Sequence, residues 1–263
     1  MDEIYNVISY PNMLVYTFYD MNQKRYEQYI ISKDINNIKY IINHLEKVQN
    51  QIGFGNLNRD YYALHHIIEC RQLLVELQPE AITERIYNYL RQIECQEALP
   101  VASKDRYMNQ LDLCNFWGFM SGNKNLSLTD VKIALDIHDV RELQVNYKLD
   151  ESEFTRVQLE GQSNVKAIVK LYNISIGATN EERYTGINMI AARYALCEEY
   201  SLPGLNDTPM VFAQRYFQKI HSLNGGKDAA TLLTEKNNNS FTIMLRECIP
   251  SFAIYEGEVF NRI

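Results

Sequence analysis

The stretch "IYNVISYPNMLVYTFYD", residues 4–20, decides the architecture. Residues 4–10 and 13–20 are dense in β-branched and aromatic side chains, which suit a pleated, half-buried strand. Pro11-Asn12 between them is a short turn, because proline presets its φ and asparagine tolerates turn geometry. A polar turn over "DMNQKR" (20–25) leads into a third strand-like run at 26–31. Three runs joined this closely predict an antiparallel β-meander.

Beyond residue 31 the period changes. "SKDINNIKYIINHLEKV" (32–48) repeats Ile35, Ile38, Ile41, Ile42 and Leu45 at helical spacing. It predicts an amphipathic helix with Ser32 or Asp34 as its cap. "QIGFGN" (51–56) reads as a buried strand breaking into a loop. Helices are predicted over 59–74 and 79–94, the second with Pro79 in its first turn. A further strand is expected over 106–116. A short helix follows over 126–137, carried by Leu128, Val131, Ile133, Ala134 and Leu135. A long helix over 150–175 is capped by Asp150 or Ser152, with acids in its first turn where the dipole favours them. This order predicts an α/β fold with a mixed sheet.

A boundary is expected near "GATNEE" (177–182), giving a domain over 1–177 and a mainly helical extension over 178–263. The extension carries helices over 181–202 and 208–223, then weaker strand signals at 241–248 and 251–260.

Composition narrows the classes. Hydrophobic residues make up 46% and charged residues 22%, which reads as globular. No run approaches the ~20 apolar residues of a membrane span. Acids precede the first apolar stretch, unlike a signal peptide. The net charge of −7 argues against a non-specific nucleic-acid binder, which usually shows a basic face. Cys70, Cys95, Cys114, Cys197 and Cys248 are scattered, with no pair at metal-ligand spacing; they read as reduced thiols.

The isolated candidates have bland readings. His65-His66 read as an exposed helix face; a metal would need a partner such as Glu69. The "GFGN" glycines read as a sharp turn rather than a phosphate cradle. Trp117 reads as a core or partner contact, or as a stacking platform. Asp112 reads as a strand-end residue capping a loop. Cys114 has no neighbouring His to activate it.

Three separated motifs share one order. "YNVISYPN" (5–12) is similar to the first motif of four-carboxylate 3′–5′ exonucleases, and in particular to the exonuclease-like domain of bacteriophage B-family-type DNA polymerases. "IGFGNLNRDYYALHHII" (52–68) resembles their second motif, a strand, a Gly-Asn loop and an Asp opening a helix. "GQSNVKAIVKLY" (161–172) resembles their late helical motif. "LDL" (111–113), "NLSLTDVKIALDIHDVREL" (125–143) and "RYALCEEYSLPGLNDTPMVFAQRYFQKIH" (193–221) fit the intervening and following segments, so the resemblance covers roughly 4–221.

The resemblance implies an RNase H-like exonuclease fold, a phage origin and a site of four carboxylates. Such a site binds two divalent ions that activate water and stabilise the phosphate. At the matching positions this chain has Asn6, Ser9 and Asn164, and keeps only Asp60. Leu159 and Glu160 stand where the family places a Tyr or His base. Mg²⁺ and Mn²⁺ favour anionic oxygen ligands, so the expectation is no metal cofactor and no catalytic residue.

The expected role is a non-enzymatic binding or structural subunit of a phage replication complex or virion. It would have a protein partner and reside in the host cytoplasm or the virion, away from membranes. One alternative is a single-stranded nucleic-acid-binding module using Asn6, Ser9, Asn56, Asp60 and Asn164. The other is a nuclease with an atypical Mg²⁺ or Mn²⁺ site. The 263 residues leave no room for a polymerase domain beside the exonuclease-like one.

Overall fold

Strand-forming residues are so dense in the first third of the chain that they build most of one sheet. The computed structural model describes residues 1–95, 101–118, 126–137, 148–178, 188–202 and 204–223. β1 (Asp2–Tyr10), β2 (Met13–Asp20) and β3 (Arg25–Ser32) form the antiparallel meander, with Tyr5 opposite Phe18 and Phe18 opposite Glu27. A two-residue β4 (Ile35–Asn36) closes the end of β3, and α1 (Ile38–Leu45) follows. β5 (Asn50–Gly53) then pairs parallel to β1.

Three helices come next: α2 (Asp60–Glu69), α3 (Arg71–Leu74) and α4 (Pro79–Glu94). β6 (Asn109–Asp112) pairs parallel to β5 and runs into α5 (Leu113–Trp117). The six-stranded order is β4-β3-β2-β1-β5-β6, a mixed sheet in an α/β fold. The remaining helices are α6 (Leu128–Ala134), α7 (Glu151–Ser175), α8 (Met189–Tyr200) and α9 (Pro209–Leu223).

Two compact units divide the chain: Met1–Cys114 with Asn125–Lys170, and Asn115–Lys124 with Leu171–Ile263. In the first, the sheet is covered on both faces. Tyr5, Val7, Leu14, Tyr16 and Phe18 pack with the apolar stripes of α1, α2 and α4. Tyr10, Met13 and Val15 pack on the opposite face with Leu149, Val157 and Phe154 around the start of α7. Asn12, in the predicted turn, also docks that helix: its side-chain amide donates to Leu149 O at 2.8 Å and accepts from Leu149 N at 2.9 Å.

In the second unit Arg193 of α8 is buried, stacked against Phe116 at 4.3 Å and Phe212 at 4.8 Å. Its guanidinium donates to the carbonyls of Phe116 and Asp207. Trp117 donates Nε1 to Ser175 Oγ at 2.9 Å, a fixed internal contact.

The structure corrects several expectations. The helix predicted from residue 32 starts only at Ile38, because Ser32 and Ile35 pair as strands. Asn37 spends its side chain on Ile30 N and leaves the helix without a side-chain cap. The single helix over 59–74 breaks at Cys70, and the strand expected through 116 ends at Asp112. His65 is buried, not exposed: its ring packs at a tilt on Tyr107, centroids 4.9 Å apart, and meets Tyr61 OH at 3.2 Å. His66 stacks on Tyr89 with ring centroids 4.1 Å apart. The strands expected at 241–248 and 251–260 lie outside the described residues, as does Cys248. Cys70, Cys95, Cys114 and Cys197 are free thiols.

Candidate functional site

The geometry starts from the short length of β5. It pairs with β1 only through Ile4 and ends at Gly53, so the β1 backbone beyond loses its parallel neighbour. Gly55 takes φ +65, and the chain turns into α2. Asp112 holds this turn from β6: its carboxylate accepts from Gly55 N at 2.8 Å and Cys114 N at 2.9 Å. Asp112 is fully buried and works as the loop cap that its position suggested.

The turn delivers Asp60, the first residue of α2, against β1. Asp60 Oδ2 accepts from Val7 N at 3.0 Å, supplying the partner that β5 no longer provides. The same oxygen accepts from Asn6 Nδ2 at 2.9 Å. Burial raises the Asp60 pKa to about 6, partly offset by the Val7 and Asn6 hydrogen bonds and by Arg59.

Asn6 continues the chain on the face covered by α7. Asn164 Nδ2 donates to Asn6 Oδ1 at 3.0 Å. Lys132 Nζ, from α6, donates to Asn164 Oδ1 at 3.2 Å. The series Lys132, Asn164, Asn6, Asp60 is therefore one directional hydrogen-bond chain, with an ammonium at one end and a carboxylate at the other. Its ends fix both amide orientations, because an ammonium only donates and a carboxylate only accepts.

α6 is placed for this by its own caps. Ser127 Oγ accepts from Asp130 N, and Asp130 returns the bond to Ser127 N, a capping box. At the other end Lys170 Nζ of α7 donates to Leu135 O at 3.0 Å. On the face between them, Val131, Lys132 and Leu135 are all buried, while Ile133 is 61% exposed.

Three of the four family-like positions thus meet, and the fourth does not. Residues three apart on a strand point to opposite faces. Ser9 lies opposite Leu14 on the α2/α4 side, buried, and its Oγ has no hydrogen-bond partner. The side chain on the Asn6 face next along β1 is Ile8, packed with the α7 cluster.

Asn56 belongs to a different network. It is fully buried and donates to Gln110 Oε1 at 2.8 Å. That network crosses the sheet. Tyr5 OH donates to Gln110, Gln110 to Gln51 and Gln51 to Glu3. Tyr16 OH and His44 also contact the buried Glu3 carboxylate.

Lys132 is the residue that the motif comparison missed. The signal was present: Leu128, Val131, Lys132 and Leu135 follow i, i+3, i+4, i+7, so the lysine stands in the inward stripe. Leu159, where the motif resemblance expects a base, is half exposed; Glu160 beside it is buried.

A pair of hard divalent ions does not fit this donor set. It offers one carboxylate, two neutral amides and an ammonium, whose charge repels a second cation. Among the described residues no three His, Cys, Asp or Glu side chains group as a metal site. No helix among them is long and apolar enough to cross a membrane. Compared with family models, curated proteins and solved structures, the chain gives no match.

Proposed function

We propose that this protein is a catalytically inactive member of the RNase H-like exonuclease fold. It serves as a non-enzymatic binding or structural subunit of a phage replication complex or virion. The fold reading is supported by the meander followed by two parallel strands, with helices on both faces. It is supported further by Asn6, Asp60 and Asn164, distant in sequence, meeting at one place.

The loss of chemistry rests on one observation, the chain from Lys132 through Asn164 and Asn6 to Asp60. Hydrolysis by two metals needs anionic ligands facing a wet cleft. Here the amides and the ammonium satisfy one another.

The direct test incubates the full chain with a labelled single-stranded oligonucleotide and Mg²⁺ or Mn²⁺. No degradation is expected; degradation that disappears in Asp60→Ala would overturn the reading. An affinity pull-down from infected cells is expected to bring down phage replication or virion proteins. Recovery of host proteins alone would defeat that assignment.

Single-strand binding through Asn6, Ser9, Asn56, Asp60 and Asn164 has less support. The first four are buried, and Ser9 and Asn56 lie away from the other three.

A further inference from the structure

Resting on that reading, we infer that Lys132 is the resident cation of this site: its ammonium, relayed through two asparagines, stands in for the divalent ions and clasps α6 and α7 to β1 and α2. Both asparagines then have a positive role. Asn164 must accept from Lys132 and donate to Asn6; Asn6 must accept from Asn164 and donate to Asp60. Only a group with both a donor and an acceptor can fill either position, and an ionised aspartate has no donor. The loss of carboxylates at 6 and 164 and the buried lysine are therefore one exchange, a metal-centred arrangement for a protein-centred one. Each link polarises the next, so the chain acts as a unit.

Burial supports the exchange. Lys132 is 4% exposed, and lysine is rarely buried without a charge or polar partner. Its partner Asn164 lies on α7, whose preceding turns pack on the sheet: Gln28 donates to Gln158 O at 2.9 Å, and Gly161 lies against Thr17. The clasp thus fixes α6, a seven-residue helix, against an element already docked.

The test uses Mn²⁺ binding to the full chain, read by electron paramagnetic resonance with circular dichroism as the fold control. The Asn6→Asp/Asn164→Asp variant is compared with the same variant carrying Lys132→Met. Removal of the lysine is expected to raise Mn²⁺ affinity by roughly tenfold or more, the scale on which ligand charge tunes such sites. Equal affinity with and without Lys132 would overturn the inference, as would a folded triple variant that binds Mn²⁺ no better than wild type.

A second measurement needs no folded variant. In the wild-type protein, an amine-reactive label read by mass spectrometry is expected to modify Lys132 at least roughly tenfold more slowly than the exposed Lys39, because the amine is buried and donating. Equal rates would overturn the inference. Mn²⁺-dependent nuclease activity of the wild type would instead defeat the proposed function, so the two failures are distinguishable.

Discussion

Asn164 of α7 donates its side-chain amide to the Oδ1 of Asn6 on β1 at 3.0 Å, joining residues 158 apart in sequence. This bond is the centre of the clasp, and its direction makes an asymmetric prediction. Asn6→Asp removes the donor to Asp60 and sets two carboxylates side by side in a buried place. It is expected to cost roughly 2–4 kcal/mol at neutral pH, measured by urea unfolding. Asn164→Asp likewise removes a donor, the one to Asn6, but gives Lys132 a full ion pair in return, so it is expected to cost less than Asn6→Asp. Equal losses for the two variants would contradict the direction of the chain.

The sheet was legible in the sequence because local and tertiary preferences agreed there. β1 and β2 carry β-branched and aromatic residues on both faces, and both faces are covered. The start of α1 was not legible. Its isoleucine stripe extends back to Ile35, but pairing of Ser32 with Ile35 claimed those residues for the sheet. The site was half legible. Motif order brought out Asn6, Asp60 and Asn164, whereas motif spacing misplaced Ser9, because a strand turns its side chains over at every residue. Lys132 was hidden by reading α6 for apolar residues alone.

Asp60 gives a pH prediction with an unusual sign. Its folded pKa of about 6 lies above the unfolded value of 3.8, so the folded state binds this proton more tightly. The charged carboxylate is then a burden above pH 6, by up to about 3 kcal/mol at 1.36 kcal/mol per pKa unit. That burden is relieved as pH falls from 6 toward 4. Asp60→Asn keeps an acceptor for Asn6 and Val7 without the charge. It is expected to match or exceed wild-type stability at pH 7, with the advantage shrinking by pH 4. A gap that widened on acidification would refute the burial account.

His66 works in the opposite direction. Burial, with Arg85 nearby, lowers its pKa from 6.5 to about 4, so the folded state holds it neutral. The unfolded chain takes up this proton between those values, and stability is lost as pH falls through that window. His66→Phe keeps an aromatic ring to stack on Tyr89 and removes the titration. Its unfolding free energy relative to wild type is expected to rise between pH 7 and 4. A difference that stayed flat over that range would show that His66 is not held neutral.

Glu3 anchors the second buried network. Its carboxylate meets Gln51 Nε2 at 2.7 Å, His44 Nε2 at 2.6 Å and the Tyr16 hydroxyl. Burial and the Glu3 charge push the Tyr16 pKa well above 10, so the hydroxyl remains a donor. Glu3→Leu strands three polar groups inside the sheet and is expected to cost roughly 3–5 kcal/mol; Glu3→Gln retains an acceptor and is expected to cost less. The ordering of the two variants, read from chemical unfolding, is the test. A leucine at least as well tolerated as glutamine would show that packing governs this position.

Gly161 lets α7 reach the sheet. A Cβ there would stand 2.6 Å from Thr17 Oγ1 and 3.4 Å from Gln28 Nε2, and Thr17 is fully buried beneath the helix. Alanine is the better helix former by about 1 kcal/mol, so in open space Gly161→Ala would stabilise α7. The contact reverses that sign. Thr17 cannot simply turn away, because its hydroxyl accepts from Gln28 at 2.8 Å while the same Gln28 amide docks on Gln158 O. Overpacking of this kind costs roughly 1–3 kcal/mol, so Gly161→Ala is expected to destabilise. Thr17→Ala removes the obstructing hydroxyl at the cost of one hydrogen bond. In the double variant the Gly161→Ala change is expected to become neutral or favourable, giving a coupling of more than about 1 kcal/mol in a double-mutant cycle. Additive losses would mean that α7 retreats from the sheet to accommodate the methyl group. The Asn164–Asn6 bond one turn further along would then lengthen too, and Lys132 would label faster in Gly161→Ala than in wild type.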